Sequence, residues 1–147
     1  SFPTRRSSDL DKIRELVKSH CTILGQAYDE SRIKNLIDSF IDKDDRGALI
    51  LLEDGQYKGY IFFIVSHHMI TGELLGQEVG FYCEAKGKGP LLIKEYEELL
   101  KSMNVKECTL SSHGTDRLDN YYKRKGYELK ERIFVKQLDY KDTLCLS

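Results

Sequence analysis

Apolar residues recur at helical spacing in the first part of the chain and at strand spacing after it. One stripe predicts a helix over residues 9–20, and a second predicts a helix over residues 29–41. The apolar period then changes near residue 48. The first stripe consists of Leu10, Ile13, Leu16 and Val17, and the second of Ile33, Leu36, Ile37 and Phe40.

Three strands are predicted next. The segment "ALILLEDGQYKGYIFFIV" holds two apolar runs around Asp54-Gly55, which is a strong signal for a tight hairpin. The segment "ELLGQEVGFYC" predicts a third strand that contains Gly76 and Gly80. Glycines inside a strand pattern often mark a bulge or the close approach of another backbone.

The second half alternates between helical and strand patterns. A helix is predicted over residues 89–103, with Pro90 in its first turn. The segment "VKECTLSS" predicts a strand, and "TDRLDNYYKRKG" a short helix that ends at Gly126. The alternation in "YELKERIFVKQL" predicts a final strand over residues 127–138.

The order of these elements predicts a single α/β domain with a mixed central sheet. The N-terminal strands are antiparallel, and a strand–helix–strand unit over residues 79–111 requires a parallel pair. Ligands of such sheets bind at the carboxyl ends of the strands. A glycine-containing segment lies at that place.

Composition excludes several classes of function. A chain of 147 residues with a formal charge of −1 has no overall field to hold nucleic acid or an anionic membrane. Its longest apolar runs have the length of a strand. The four cysteines lack metal-type spacing, so we expect no metal and reduced thiols in a cytoplasmic protein.

Residues 1–10, "SFPTRRSSDL", resemble a frame translation of sequencing-adapter DNA and have no apolar period. We expect this segment to be non-native or disordered, with the native N-terminus missing. The predicted domain therefore covers residues 11–138, and residues 139–147 form a tail.

The segment that follows the third strand offers a site for an anion. Gly87 and Gly89 precede a helix whose first amides lack intrahelical partners, and Lys86 and Lys88 add positive charge. The spacing fits neither a Walker loop nor a dinucleotide fingerprint. Taken alone, such glycines indicate a tight turn more often than a binding site.

Two segments carry a resemblance to a known family. Residues 84–89 read Glu-Ala-Lys-Gly-Lys-Gly, and residues 122–127 read Tyr-Lys-Arg-Lys-Gly-Tyr. In order and spacing they resemble the Gln/Arg-x-x-Gly-x-Gly/Ala and Tyr-x-x-x-Gly-Phe/Tyr motifs of the GNAT superfamily of N-acetyltransferases. Over residues 9–138 the chain looks like a small, phage-like member.

The resemblance implies a co-substrate, acetyl-CoA, and a set of residues that bind it. The family holds CoA at the end of its fourth strand and on the loop that follows. The implied positions here are Phe81, Tyr82, Cys83, Lys86, Gly87, Lys88 and Gly89. Tyr122 is the implied general acid for the leaving thiolate, and the alternative is a helix aromatic that packs on the sheet.

The general base is less defined by sequence. Glu78, on the strand that leads to the loop, could take a proton directly or through water, or could be an outward-facing carboxylate. His113 and Glu131 are further candidates. Cys83 could act as a nucleophile, but a buried thiol is the simpler interpretation. We assign no chemistry to His67-His68.

The resemblance implies an N-acetyltransferase in which a primary amine attacks acetyl-CoA directly in a ternary complex. Glu84 occupies the position of the family's Gln or Arg and would repel a pyrophosphate. A degenerate, non-catalytic domain that binds CoA or a partner is therefore an alternative, and an unrelated nucleotide-binding protein is another. The acceptor would be a small-molecule or peptide amine, and exposed strand edges would allow a homodimer.

Overall fold

Two helices followed by three antiparallel strands make up the first half of the chain. The computed structural model describes residues 7–41 and 43–139. In chain order the elements are α1 (Ser7–Leu24), α2 (Glu30–Ile41), β1 (Arg46–Glu53), β2 (Gln56–His67), β3 (Leu74–Cys83), α3 (Gly89–Ser102), β4 (Glu107–Thr109) and α4 (Asp116–Arg124). Because α1 begins at Ser7, the last residues of the segment predicted to be non-native are helical.

The predicted mixed α/β sheet is confirmed. The strand order is β1-β2-β3-β4, with antiparallel pairing from β1 to β3 and parallel pairing between β3 and β4. Helix α3 makes the crossover that a parallel pair requires.

The predicted hairpin is confirmed as well. Glu53 pairs with Gln56 across the turn, and the two residues between them, Asp54 and Gly55, have φ values of 52° and 76°. Positive φ at both central residues defines a type I′ turn, whose twist matches that of the flanking strands. Glycine adopts such angles at little cost, so the Asp-Gly pair fixes the register of β1 on β2.

Helices cover both faces of the sheet. Alternate residues of β1 and β2 point to opposite faces, and each face forms its own apolar cluster. The α1–α2 cluster contains Ile13, Leu16, Val17, Ile37, Phe40, Ala48, Ile50, Tyr60 and Phe62. The α3 cluster contains Leu49, Ile61, Phe63, Leu92, Tyr96 and Leu100.

The predicted final strand over residues 127–138 is wrong. Residues 127–139 form no strand in the described chain, and Ile133 and Phe134 are 79% and 92% exposed. The alternation describes which face each side chain would take in a strand, but a strand forms only when a neighbouring backbone accepts its hydrogen bonds. The strand predicted from "VKECTLSS" shrinks for a related reason, because only Glu107–Thr109 pair with β3.

The chain divides into two compact units, one ending at Ser111 and the other beginning at Ser112. The sheet and helices α1 to α3 belong to the first, and α4 belongs to the second. The domain bounds at residues 11 and 138 stay predictions. No helix in the described part of the chain is long and apolar enough to cross a membrane.

Gly76 allows α3 to approach β3 closely. An ideal Cβ at this position would lie 2.5 Å from Leu100 Cδ1, and Leu100 is buried. We expect Gly76→Ala to lower the free energy of unfolding by about 1–3 kcal/mol, because the buried leucine has little room to move. Urea denaturation measures this change.

Gly80→Ala is the matched control in the same strand. An ideal Cβ there would lie 3.6 Å from carbon atoms of Phe62 and Tyr60, which is ordinary van der Waals contact. We expect this variant to keep the stability of the wild type within about 1 kcal/mol. Equal losses in the two variants would contradict the assignment of close packing to Gly76.

Candidate active site

The two neighbours of β3 cover different lengths of it. The parallel ladder joins only Leu75–Gln77 to β4. The antiparallel ladder with β2 continues to Cys83 and contains a bulge that leaves Val79 without a partner in the register. β3 therefore continues from Glu78 to Cys83 without β4 beside it. We call the space beside this part of β3 the β3–β4 opening.

Two backbone amides of β3 point toward this opening. The amide of Glu84 donates to the carbonyl of Lys58 on β2 over 2.7 Å. Because backbone amides alternate in direction along an antiparallel strand, the amides of Cys83 and Phe81 point away from β2. β4 ends at Thr109, before it reaches them. These amides are placed where a ligand's carbonyl could accept a hydrogen bond.

Glu78 is a buried carboxylate at the start of the opening. Glu78 is only 7% exposed. The Ser111 hydroxyl lies 2.8 Å and 3.1 Å from its two oxygens, and the Ser111 amide lies 3.4 Å from Oε1. The outward-facing alternative for Glu78 is therefore wrong. A buried carboxylate that accepts hydrogen bonds is a candidate proton acceptor.

The charge of Glu78 acts on both faces of the sheet. Tyr60 belongs to the α1–α2 cluster, and Tyr96 belongs to the α3 cluster. Burial raises the pKa of both tyrosine hydroxyls, and the Glu78 carboxylate adds to the effect on each.

The glycine loop forms a tight turn after β3. The amide of Lys88 donates to the carbonyl of Ala85 over 3.1 Å, and Gly87 between them has a φ of 76°. This angle favours glycine, although a Cβ there would meet no atom within 4 Å. At Gly89 a Cβ would lie 3.6 Å from the Phe81 ring, so the loop packs on the end of β3.

The N-terminus of α3 follows this turn. Lys88 is its N-cap and makes no side-chain hydrogen bond to the helix. Pro90 occupies the first turn and has no amide to donate. The side chains of Lys86 and Lys88 are exposed. A phosphate would meet the positive end of the helix dipole here, together with two lysines.

The carboxylate of Glu84 lies on the other side of the sheet from α3. The Tyr82 hydroxyl donates to Glu84 Oε1 over 2.9 Å, and the Tyr82 ring stacks on His20 of α1 with a centroid distance of 4.7 Å. Helix α3 packs on the opposite face. The repulsion that the sequence predicts between Glu84 and a phosphate is therefore weakened by direction and distance.

Cys83 carries a protonated thiol. Its Sγ donates to the carbonyl of Ala85 over 3.3 Å, and burial raises the pKa of the thiol. Both features disfavour the thiolate that a nucleophile requires. Cys21 and Cys108 are thiols as well, and Cys145 lies outside the described residues.

Comparison with solved structures identifies the fold. An acetyltransferase of the GNAT family from Staphylococcus aureus superimposes with a TM-score of 0.69 over 90% of this chain and 94% of its own, at 23% identity. A ribosomal-protein-alanine N-acetyltransferase from Brucella melitensis gives 0.71 over 89% and 93%, at 18% identity. An aminoglycoside N-acetyltransferase in complex with CoA gives 0.72 over 90% of both chains, at 15% identity.

This chain has the GNAT fold. No protein-family model matches the sequence, and no curated protein sequence matches it either.

The GNAT-like Tyr-x-x-x-Gly-Tyr segment ends helix α4. The amide of Tyr127 donates to the carbonyl of Tyr122 over 3.0 Å, and that of Gly126 donates to Lys123 over 3.1 Å. Gly126 has a φ of 92°. These two bonds form a Schellman motif, and the Tyr122 and Tyr127 rings, 5.7 Å apart, make its usual apolar contact. The spacing of the segment is thus explained by helix termination.

The remaining candidates have other surroundings. His113 is an exposed loop residue, and Glu131 is exposed in the segment that forms no strand. His68 Nδ1 accepts the amides of Ile70 and Thr71, each over 3.1 Å, so it orders the β2–β3 connection. Among the described residues, no three His, Cys, Asp or Glu side chains cluster as a metal site would require.

Sequence reasoning missed two residues that the fold brings to this region. Ser111 reaches Glu78, and His20 joins Tyr82 and the Tyr60 hydroxyl. A serine that follows a predicted strand, or a histidine on the last turns of a helix, has no distinctive pattern. Their importance depends on which strands become neighbours.

The contact between Tyr82 and Glu84 predicts a titration. Burial, followed by the hydrogen bond and charge of Glu84, raises the pKa of Tyr82 from 10.0 to about 12. The folded state favours the neutral phenol, so this contribution to stability is present below pH 10 and is lost as the pH rises toward 12. We expect Glu84→Gln to lower the pKa of Tyr82, measured by NMR of ring-labelled tyrosine.

Glu98→Gln, on the exposed surface of α3, is the control and should leave the Tyr82 titration unchanged. The same Tyr82 pKa in the wild type and in Glu84→Gln would refute the contact.

Proposed function

We propose that this protein is an N-acetyltransferase that moves acetyl from acetyl-CoA to a primary amine. One observation carries the proposal. A buried carboxylate, Glu78, stands at the start of the β3–β4 opening, and the glycine loop and the N-terminus of α3 follow at its end. This order, from the carboxylate through the strand amides of β3 to the loop and helix N-terminus after it, supports a path for a thioester with a phosphate-bearing tail.

The residues on this path suit acetyl-CoA. The amides of Phe81 and Cys83 would donate to the thioester carbonyl or to the amide groups next to it. Gly87 and Gly89 let the loop backbone approach the pyrophosphate, and Lys86 and Lys88 would neutralise part of its charge. Tyr82 contributes differently, because its ring stacks on His20 and holds Glu84 on the other face.

The reaction requires one proton acceptor and one proton donor. The amine nitrogen attacks the thioester carbon, a C–N bond forms, and the carbonyl oxygen becomes an oxyanion held by strand amides. Glu78 takes the proton that the nitrogen loses, directly or through water. When the C–S bond breaks, the leaving thiolate takes a proton, and the GNAT-like motif makes Tyr122 our proposed donor. The products are the N-acetylated amine and CoA.

The acceptor is proposed only as a class. Among the solved structures of the same fold, one is named for an aminoglycoside and another for an alanine of ribosomal proteins. A small-molecule or peptide amine remains our proposal for this chain, as do the cytoplasm as its location and a homodimer as its assembly.

Ligand binding gives the first test. At a hundredfold excess over its dissociation constant, a ligand that binds only the folded state stabilises it by about 2.7 kcal/mol. We expect acetyl-CoA and CoA to raise the melting temperature, and ATP and GTP to leave it unchanged. Stabilisation by ATP or GTP alone would favour the nucleotide-binding alternative. No shift with any of them would contradict a CoA site.

Acetyl transfer to a panel of amines gives the second test. We expect Glu78→Gln to lower kcat by about 10²–10⁴-fold, because the amide cannot accept the proton. Tyr122→Phe should lower kcat as well and should keep the stabilisation by acetyl-CoA. Glu95→Gln, on the exposed surface of α3, is the matched control and should keep full activity.

Binding of acetyl-CoA without turnover on any amine would favour the non-catalytic alternative. Full activity in Glu78→Gln would remove Glu78 from the mechanism.

A further inference from the structure

The last connection between β3 and β4 is made by side chains. Their backbone ladder ends at Gln77 and Thr109. Immediately beyond it, the Ser111 hydroxyl lies within hydrogen-bond distance of both oxygens of Glu78, at 2.8 Å and 3.1 Å. The Ser111 amide adds a longer contact of 3.4 Å to Oε1. A side-chain bridge thus spans the place where the strands part.

The two partners differ in exposure. Glu78 is 7% exposed, whereas Ser111 is exposed. A carboxylate removed from water needs hydrogen-bond donors to stay charged, and donors to the charged form favour that form. Ser111 supplies two such donors from a segment that no longer pairs with β3.

We propose that Ser111 is a positioning residue for acetyl transfer, whose hydroxyl holds the Glu78 carboxylate ionised and aligned in the β3–β4 opening. The inference deepens the proposed function and rests on it. Ser111 makes no contact with the reacting atoms in this scheme and acts only through Glu78.

The Ser111 hydroxyl can bond to Glu78 both before and after Glu78 takes a proton. Before transfer, the Ser111 hydroxyl donates to the carboxylate. After Glu78 has taken the amine proton, its new O–H can donate back to Ser111 Oγ, because a hydroxyl both donates and accepts. The Ser111 amide can only donate. The hydroxyl can therefore stay bonded to Glu78 in both protonation states.

The other titratable groups near Glu78 should not obscure its titration. Tyr60 from β2 and Tyr96 from α3 are two such groups in the first unit. Burial and the Glu78 charge raise the pKa of both hydroxyls above 10.0. Both stay neutral through the acidic and neutral range, so neither tyrosine contributes to the acidic limb of a rate profile.

The experiment compares Ser111→Ala with Ser111→Thr, which keeps the hydroxyl. In Ser111→Ala we expect the acidic limb of kcat/KM to move up by about 1 pH unit, since the charged form loses a donor. We expect kcat at acidic pH to fall by about tenfold and KM for acetyl-CoA to stay unchanged. Ser111→Thr should restore the wild-type profile.

A direct readout accompanies the kinetics. NMR of carboxyl-labelled glutamate follows the titration of Glu78 itself, and we expect it to move to higher pH in Ser111→Ala. Ser102→Ala is the control, because its hydroxyl donates to the Leu99 carbonyl on α3 and not to Glu78. Since Ser111 is exposed, removing its Oγ should leave the fold intact, which the melting temperature checks.

The outcomes separate the inference from the proposed function. An active wild type with the same rate profile and the same Glu78 titration in Ser111→Ala overturns the inference alone. A moved profile in both Ser111→Ala and Ser111→Thr also overturns it, because the hydroxyl would then not be the cause. A wild type that acetylates no amine and gains no stability from acetyl-CoA overturns the proposed function, and the inference with it.

Discussion

The short parallel ladder between β3 and β4 is the constraint on which the candidate site depends. It joins residues 75–77 to residues 107–109 and then stops. The Tyr96 hydroxyl donates to the carbonyl of Thr109 over 3.1 Å, which gives the end of β4 a partner on α3. Close contact between Gly76 and Leu100 holds the same helix against β3. With a longer ladder, β4 would cover the amides of Phe81 and Cys83 and leave no room for a ligand.

The bulge at Val79 makes a second contribution to this geometry. The ladder with β4 ends at Gln77, just before the bulge, and beyond the bulge β3 is paired only with β2. A bulge increases the local twist of a strand. The bulge lies directly after Glu78. The strand therefore twists most strongly next to the buried carboxylate.

The sequence correctly predicted those elements that depend on a few neighbouring residues. The Asp54-Gly55 turn and the start of α3 at Gly89 follow from backbone preferences of a few residues. The strand expected over residues 127–138 failed because pairing depends on a distant partner. The burial of Glu78 was unpredictable for the same reason, since alternation along β3 is interrupted by the bulge and the donor, Ser111, lies 33 residues away in sequence.

The unusual Glu84 shows how direction can matter more than residue type. In the sequence it stands where a carboxylate would oppose a pyrophosphate. In the structure its charge is bound by the Tyr82 hydroxyl on the α1 side of the sheet, and the lysines of the loop are exposed beside α3. Glu84 therefore changes the surroundings of β3 on the α1 side of the sheet, whereas the lysines of the loop lie beside α3.

The Schellman motif at the end of α4 has a consequence for the recognition of homologues. Gly126 and the aromatic contact of Tyr127 with Tyr122 are required by the backbone that stops the helix. Selection for folding alone would therefore preserve the spacing in descendants that have lost all chemistry. A phenylalanine in the first position would end the helix equally well, so the spacing of this segment reports how the helix stops and not which chemistry the chain performs.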